Sequence, residues 1–161
     1  MTIIIMGVTG SGKTTVGTLL AQQLGWTFAD ADAFHTPANK EKMSKGIALS
    51  DADRGPWLEA IHDATARWQS AGQNAVVACS ALKQAYRDLL SENVDVKFVY
   101  LRGTAELIIE RLGHRKGHYA KENLVASQFA ALEEPKDSFL VDIGGSPETI
   151  VAEIRRQLNL R

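Results

Sequence analysis

The sequence has a single cysteine, no excess of charge and no long hydrophobic run, and each absence excludes a class of protein. Cys79 alone cannot form an internal disulfide or a cysteine-rich metal site, and we expect it to be a small buried hydrophobe rather than a nucleophile. The 18 basic and 19 acidic side chains leave a formal net charge of -1, which offers no basic surface for nucleic acid.

The hydrophobic runs are too short to cross a membrane. The N-terminal run ends at Gly7 with no basic residue before it, so it fits neither a signal peptide nor a membrane span. No other stretch approaches the roughly 18 apolar residues that a span requires. We therefore expect a soluble, cytoplasmic protein whose partners include neither membrane nor nucleic acid. Its 161 residues, 45% of them hydrophobic, suit one domain over residues 1–161.

Short runs of branched and aromatic residues alternate with longer helical patterns, which predicts an α/β fold. This alternation favours a five-stranded parallel sheet flanked by helices on both faces. Trp57 and Trp68 fall at helical spacing as core residues, with Pro56 expected in the first turn of their helix. The predicted strands cover residues 3–6, 26–29, 75–79, 98–101 and 139–141.

Directly after the first predicted strand, the segment GVTGSGKT fits the phosphate-binding pattern G-x-x-x-x-G-K-[ST]. Its glycines let backbone N–H groups face a phosphate, and the start of the next helix, predicted over residues 13–24, favours negative charge. Lys13 is expected to act catalytically on the β- and γ-phosphates, and Thr14 to give a hydroxyl to Mg²⁺. The pattern predicts ATP or GTP with Mg²⁺ as cofactors. The predicted nucleotide-binding residues of this loop are Gly7, Val8, Thr9, Gly10, Ser11, Gly12, Lys13, Thr14 and Thr15.

A phosphate-binding loop does not by itself distinguish a switch, a motor and a kinase. GTPases also carry Asn-Lys-x-Asp, and the nearest match, NKEK at residues 39–42, lacks the aspartate. The Asp-x-x-G match at residues 142–145 lies near the C-terminus with no guanine motif after it, so we interpret it as a strand-to-turn exit. Motor and transporter ATPases are usually much larger, which leaves a small-molecule kinase.

Asp30 and Asp32 stand at the end of the second predicted strand, where ligands of parallel α/β sheets gather. In an extended chain, residues i and i+2 project to one face about 7 Å apart. We assign Asp30 to Mg²⁺ through water and Asp32 to the acceptor hydroxyl, as a catalytic orienter that need not be a strong base. The alternative is a solvated turn in which an aspartate caps a helix. The sequence does not separate the two roles.

After the third predicted strand, CSALKQAYR carries one hydroxyl and two cations. If a helix begins near Ala81, Lys83 and Arg87 share one face beside Ser80, a set that suits a carboxylate or polyol substrate. The alternative is a solvated helix face on which Arg87 pairs with local acids.

The stretch ERLGHRKGHYAK, residues 110–121, concentrates cations around two glycines and predicts a mobile lid over about residues 112–121. Arg115 is expected to contact the transferring phosphate as a catalytic residue, and Arg111 to stack on the adenine. The alternative is a basic solvated loop. His114 and His118 stand four residues apart, but the absence of a third ligand nearby argues against zinc.

Several segments together resemble the gluconate kinases of the small P-loop type, relatives of shikimate and adenylate kinases. The resemblance rests on GVTGSGKT, on DADAFH followed by NKEKMSKGIALSDADRGPWL, on CSALKQAYR, on RKGHY and on SQFAALEEP, in the family's order over most of the chain. Two departures are mild: Ala31 replaces the usual glycine between the aspartates, and Tyr119 stands where the lid often has phenylalanine.

The resemblance implies a P-loop kinase fold with a helical substrate insert over about residues 35–57, and transfer of the ATP γ-phosphate to the 6-hydroxyl of D-gluconate. It places His35, Lys42 and His118 near the sugar acid. Family members are often dimers, so a homodimer is an expectation from the resemblance alone.

Two alternatives remain open. Shikimate kinases share the P-loop and Asp-x-Asp, but carry a glycine run after the third strand where this sequence has SALK. The second is a regulatory nucleotide-binding protein with little turnover, for which paired carboxylates and an arginine-bearing lid are not needed.

Overall fold

The computed structural model describes residues 1–112 and 118–161, with residues 118–121 described by their backbone alone, and the α/β fold predicted from sequence is confirmed. None of the described helices is long and apolar enough to cross a bilayer. The strands are β1 Thr2–Met6, β2 Thr27–Asp30, β3 Ala75–Ala78, β4 Val96–Arg102 and β5 Phe139–Asp142. The helices are α1 Lys13–Leu24, α2 Pro37–Ser44, α3 Asp51–Ser70, α4 Gln84–Ser91, α5 Ala105–Leu112, α6 His118–Ala131 and α7 Pro147–Gln157.

The five strands form one parallel sheet in the order β2-β3-β1-β4-β5. Every residue of β1 is fully buried, because a central parallel strand is covered by helices on both faces. Ile3 and Ile5 pack on the side of α1 and α7, whereas Ile4 and Met6 pack on the side of α3 and α4. The loop after Met6 therefore leaves the sheet at the middle of its carboxyl edge, where ligands of this class of fold bind.

Helix α3 begins earlier than the sequence pattern predicted. Ser50 and Asp53 form a reciprocal capping box, which starts the helix at Asp51. Pro56 therefore lies inside the helix, and its predicted place in the first turn is wrong. Trp57 is buried as predicted, and Trp68 is partly buried against the same core.

The segment between β2 and α3 is held by a cluster around Asp53. Lys42 on α2 donates to both carboxylate oxygens of Asp53, at 3.0 and 2.9 Å. The Asn39 side chain donates to the Asp53 carbonyl at 2.8 Å. Hydrogen bonds from the Ser50 backbone and from Lys42 lower the pKa of Asp53 to about 2. These contacts fix α2 against the start of α3.

Acid should weaken this cluster, because it protonates the Asp53 carboxylate that Lys42 and Ser50 hold. Because the pKa of Asp53 is lowered from its ordinary 3.8 to about 2, its contribution to stability is present above about pH 4 and is lost as the pH falls toward 2. Urea unfolding at about pH 5 and about pH 2.5 should show a larger loss of unfolding free energy in the wild type than in Asp53→Asn. Equal losses in the two proteins would contradict the assigned role of Asp53.

Candidate active site

The loop between β1 and α1 has the geometry of a phosphate cradle. Gly10 and Gly12 have φ angles of +77° and +94°, in the left-handed region that favours glycine. No side chain caps the start of α1, so its first N–H groups are left for an anion. The Ser11 hydroxyl is buried with no partner among the described residues. Unpaired donors around a glycine-lined turn fit a nucleotide phosphate.

Lys13 folds back over this loop. Its ammonium donates to the Val8 carbonyl at 2.9 Å. Burial lowers the pKa of Lys13, while the nearby charges of Asp32 and Asp30 act in the opposite direction. An ammonium held by one neutral carbonyl is well placed to bind a phosphate, which attracts it more strongly.

The residues assigned to Mg²⁺ lie together. The Thr14 hydroxyl donates to a carboxylate oxygen of Asp30 at 3.2 Å. Hydroxyl and carboxylate oxygens are ligands that Mg²⁺ accepts, completed by water and phosphate oxygens. Within the described part of the chain, no cluster of three or more histidine, cysteine, aspartate or glutamate side chains could hold a metal by itself. The residues present therefore fit a magnesium ion that is bound jointly with the phosphates.

Asp32 is not part of an extended strand, so the predicted i, i+2 geometry is wrong. The chain turns into a short 3-10 helix, Ala31–Phe34, and Asp30 caps it by accepting the Asp32 backbone N–H at 2.9 Å. The buried Ala31 carbonyl accepts the Trp57 indole N–H at 2.7 Å, which fixes the turn. Asp30 thus combines the alternative role, a helix cap, with the contact to Thr14.

Two cavities meet at the carboxyl edge of the sheet. The phosphate cavity, of about 360 Å³, contains the P-loop and both aspartates. The acceptor cavity, of about 220 Å³, lies between α3, the loop after β3 and α6. Ser80 and Gln128 line both cavities, so the two adjoin. The phosphate cavity brings together the predicted residues Thr9, Gly10, Gly12, Lys13, Thr14, Thr15, Asp30, Asp32 and Ser80.

Cations and an aromatic ring surround the acceptor cavity. Lys83 lies 5.6 Å and Arg54 5.8 Å from the centre of the Tyr86 ring. Asp51 accepts from the Tyr86 hydroxyl at 2.5 Å and from Lys83 at 3.3 Å. The sequence predicted Lys83 here but missed Arg54 and Tyr86, because their contact joins positions 32 residues apart. Two cations beside a cavity suit an acceptor with a carboxylate.

Arg87 does not share a face with Lys83, and the structure does not bring it to the acceptor cavity. Helix α4 begins at Gln84, with Lys83 as its N-cap, so the helix predicted from Ala81 starts too early. The Arg87 guanidinium is buried and donates to the carbonyls of Ala81 and Glu133, both at 2.7 Å. It stabilises the two loops that it joins rather than reaching a substrate.

Replacing Arg87 with methionine should destabilise the protein. The substitution keeps the aliphatic volume but leaves two buried carbonyls without their donor, which we expect to lower the free energy of unfolding by about 3 kcal/mol. Urea unfolding measures this loss. The control Arg67→Met, at an exposed position on α3, should change stability by less than about 0.5 kcal/mol. A loss of the same small size for Arg87→Met would contradict the structural role.

His35 lies behind the wall of the acceptor cavity and lines neither compartment. It is 8% exposed and stacks on Trp57, with ring centroids 4.3 Å apart and an interplanar angle of 13°. Burial lowers the pKa of His35, so the ring is neutral at neutral pH. His35 supports Trp57, which does line the acceptor cavity, and its own contact with the substrate stays a prediction.

The remaining predicted residues are Arg111 and those of the predicted lid. Arg111, at the end of α5, donates a hydrogen bond to the Ile143 carbonyl, and its stacking on adenine stays a prediction. Arg115 and His114 lie outside the described residues, as do the side chain of His118 and most of the predicted lid. Their roles stay predictions.

Cys79 lines the phosphate cavity but is not a nucleophile. The residue is 2% exposed, and burial raises the pKa of its thiol to about 12. A protonated thiol at neutral pH does not attack phosphorus, so Cys79 packs as a small hydrophobe, as expected from the sequence.

The parallel sheet, the P-loop after its central strand and the aspartates after β2 define a P-loop kinase of the small-molecule type. A family model described as shikimate kinase matches residues 9–159. The chain is 43% identical to the gluconokinase of Gluconobacter oxydans over 96% of this chain and 89% of the relative, and 44% identical to the thermoresistant gluconokinase of Escherichia coli over 92% and 88%. The crystal structure of a gluconokinase from Sinorhizobium meliloti is 39% identical, with a TM-score of 0.84 over 99% of this chain and 94% of that one. The chain belongs to the gluconokinase family.

Proposed function

We propose that this protein transfers the γ-phosphate of ATP, with Mg²⁺, to the 6-hydroxyl of D-gluconate. The observation that carries the proposal is the pair of adjoining cavities, one with a phosphate cradle and two aspartates, the other with two cations. Relatives that share 40–44% identity over nearly the whole chain and bear the name gluconokinase support the same acceptor.

The P-loop side of the site binds and orients the nucleotide. Backbone N–H groups of the loop and the Lys13 ammonium hold the phosphates, and Arg111 and Arg115 extend this set to the adenine and the transferring group. Thr14 and Asp30 would hold Mg²⁺, Asp30 through water. When bound, the ion neutralises negative charge on the phosphate oxygens.

The acceptor side places the hydroxyl in line with the γ-phosphate. Asp32 accepts a hydrogen bond from the 6-hydroxyl, while Lys83 and Arg54 attract the carboxylate at the other end of the sugar acid. Ser80, at the junction of the two cavities, binds a hydroxyl of the sugar acid, and the role predicted for His118 is binding of the same acceptor. Because the transition state is loose, this positioning and charge stabilisation supply most of the rate.

Further expectations from the resemblance belong to the same proposal. Residues 35–57 form the substrate insert, residues 112–121 close as a lid, and the enzyme acts as a homodimer in the cytoplasm. Arg87 is left out of the substrate contacts because its guanidinium is buried between two loops.

A substrate panel tests the acceptor. We expect ADP release from Mg-ATP to accelerate with D-gluconate and to remain at the acceptor-free rate with shikimate or AMP. Acceleration by shikimate alone would contradict the proposed gluconokinase activity and favour the alternative of a shikimate kinase. Nucleotide binding with no acceptor-dependent release for any compound would favour a regulatory protein.

A further inference from the structure

Gln128 contacts both compartments of the site. It lies on α6, and its side chain lines the phosphate cavity and the acceptor cavity. Ser80, the other residue common to both, lies in the loop after β3. Gln128 thus joins α6 to the P-loop by a hydrogen bond between positions 119 residues apart.

One hydrogen bond fixes the orientation of the Gln128 carboxamide. The backbone N–H of Thr9, in the P-loop, donates to Gln128 Oε1 at 2.5 Å. A backbone N–H can only donate, so the atom that faces it is the oxygen and not the nitrogen. No described residue accepts from the Gln128 Nε2 group. The amide end is therefore a donor available at the junction of the two cavities.

Helix α6 is anchored on both sides of Gln128. Val125, one turn before Gln128, is fully buried in the core. Just beyond the helix, the Glu133 N–H donates to the Leu82 carbonyl at 2.8 Å, and Arg87 donates to the Glu133 carbonyl. These bonds tie the end of α6 to the loop that carries Ser80 and Lys83. The anchored helix leaves the conformation of the Gln128 side chain to be set by its hydrogen bond to the P-loop.

We propose that Gln128 is a positioning residue that couples the nucleotide and acceptor sites. Its oxygen holds the Thr9 N–H of the P-loop, and its amide donates to a hydroxyl oxygen of the acceptor polyol. A bound nucleotide orders the P-loop and with it the carboxamide, so the acceptor then binds at a smaller ordering cost. The inference rests on the proposed function, because it takes gluconate as the acceptor.

Calorimetric titration of gluconate, with and without saturating Mg-AMP-PNP, measures this coupling. In the wild type, the nucleotide analogue should lower the Kd for gluconate about fivefold or more. In Gln128→Met, which keeps the length of the side chain but removes both polar ends, the ratio of the two Kd values should fall to near one. Asn123→Ala, an exposed position on the same helix, should keep the wild-type ratio.

Gln128→Glu separates the coupling role from simple anchoring of α6. A carboxylate still accepts the Thr9 N–H but has no N–H to donate, so we expect this variant also to lose the coupling. A wild-type ratio in Gln128→Glu, or a fivefold ratio in Gln128→Met, would overturn the inference. Thermal unfolding checks that both variants are folded, and the glutamate variant remains decisive if the methionine variant is not.

Turnover of gluconate by the wild type, measured on the same preparation, keeps the two proposals apart. Absence of gluconate turnover would contradict the proposed function. Turnover together with an unchanged Kd ratio in both variants would contradict only the role of Gln128.

Discussion

Replacing Asp32 with asparagine should reduce kcat by about a hundredfold or more while ATP binds with nearly wild-type affinity. Asp32 lines the phosphate cavity from an exposed position on a 3-10 turn that Asp30 and Trp57 hold in place. Asparagine keeps the size of the side chain, so the turn should survive. On the proposed assignment, the substitution removes the negative charge that orients the acceptor hydroxyl.

Steady-state kinetics with ATP and gluconate varied separately would measure this effect. Asp63→Asn, an aspartate with 68% exposure on the outer side of α3, serves as the matched control and should keep wild-type kcat. Near-normal turnover in Asp32→Asn would remove Asp32 from the mechanism and leave Asp30 as the acidic residue of the site.

Replacing Lys13 with alanine should reduce kcat/KM for ATP by about a thousandfold, with losses in both nucleotide affinity and rate. The Lys13 ammonium is half-buried over the P-loop, where its charge is weakly screened by water. On the proposed assignment, it binds phosphate oxygens in the ground state and stabilises the charge that develops on them as the bond to the γ-phosphate breaks. Both binding and catalysis therefore depend on it.

Titration with AMP-PNP and steady-state kinetics together separate the two losses. Lys97→Ala, on β4 and 43% exposed, is the matched control and should change neither value by more than about twofold. An alanine variant at position 13 that binds AMP-PNP as tightly as the wild type would contradict the assignment of Lys13 to the phosphates.

Local features were the ones that the sequence could predict. The P-loop is one contiguous segment whose conformation is determined by its own glycines, lysine and threonine. It follows a strand whose five residues are all apolar or small. Helix α1 occupies the predicted residues 13–24 because Gly12 and Gly25, both with positive φ, begin and end it. The parallel sheet follows from the alternation of strands and helices.

Features that depend on distant partners were missed. The four-residue spacing of Lys83 and Arg87 predicts a shared helix face, and Arg87 was assigned to the substrate on that basis. Its actual partner, the Glu133 carbonyl, lies 46 residues away in the sequence. The turn at Asp32 depends on a hydrogen bond from the Trp57 indole to the Ala31 carbonyl. The acceptor cavity depends on a contact between Arg54 and Tyr86, which are 32 residues apart in the sequence. Gln128 lies within the segment SQFAALEEP, but nothing in that segment indicates contact with the P-loop.

The product formed from Mg-ATP and D-gluconate tests the central claim most directly, and its proton-coupled phosphorus NMR spectrum identifies the ester. The account predicts a phosphate ester at the primary 6-hydroxyl, whose phosphorus couples to the two hydrogens on C6 and appears as a triplet or a doublet of doublets. A doublet, from an ester at a secondary hydroxyl, would contradict the placement of the 6-hydroxyl at Asp32. Inorganic phosphate alone would contradict the transfer itself.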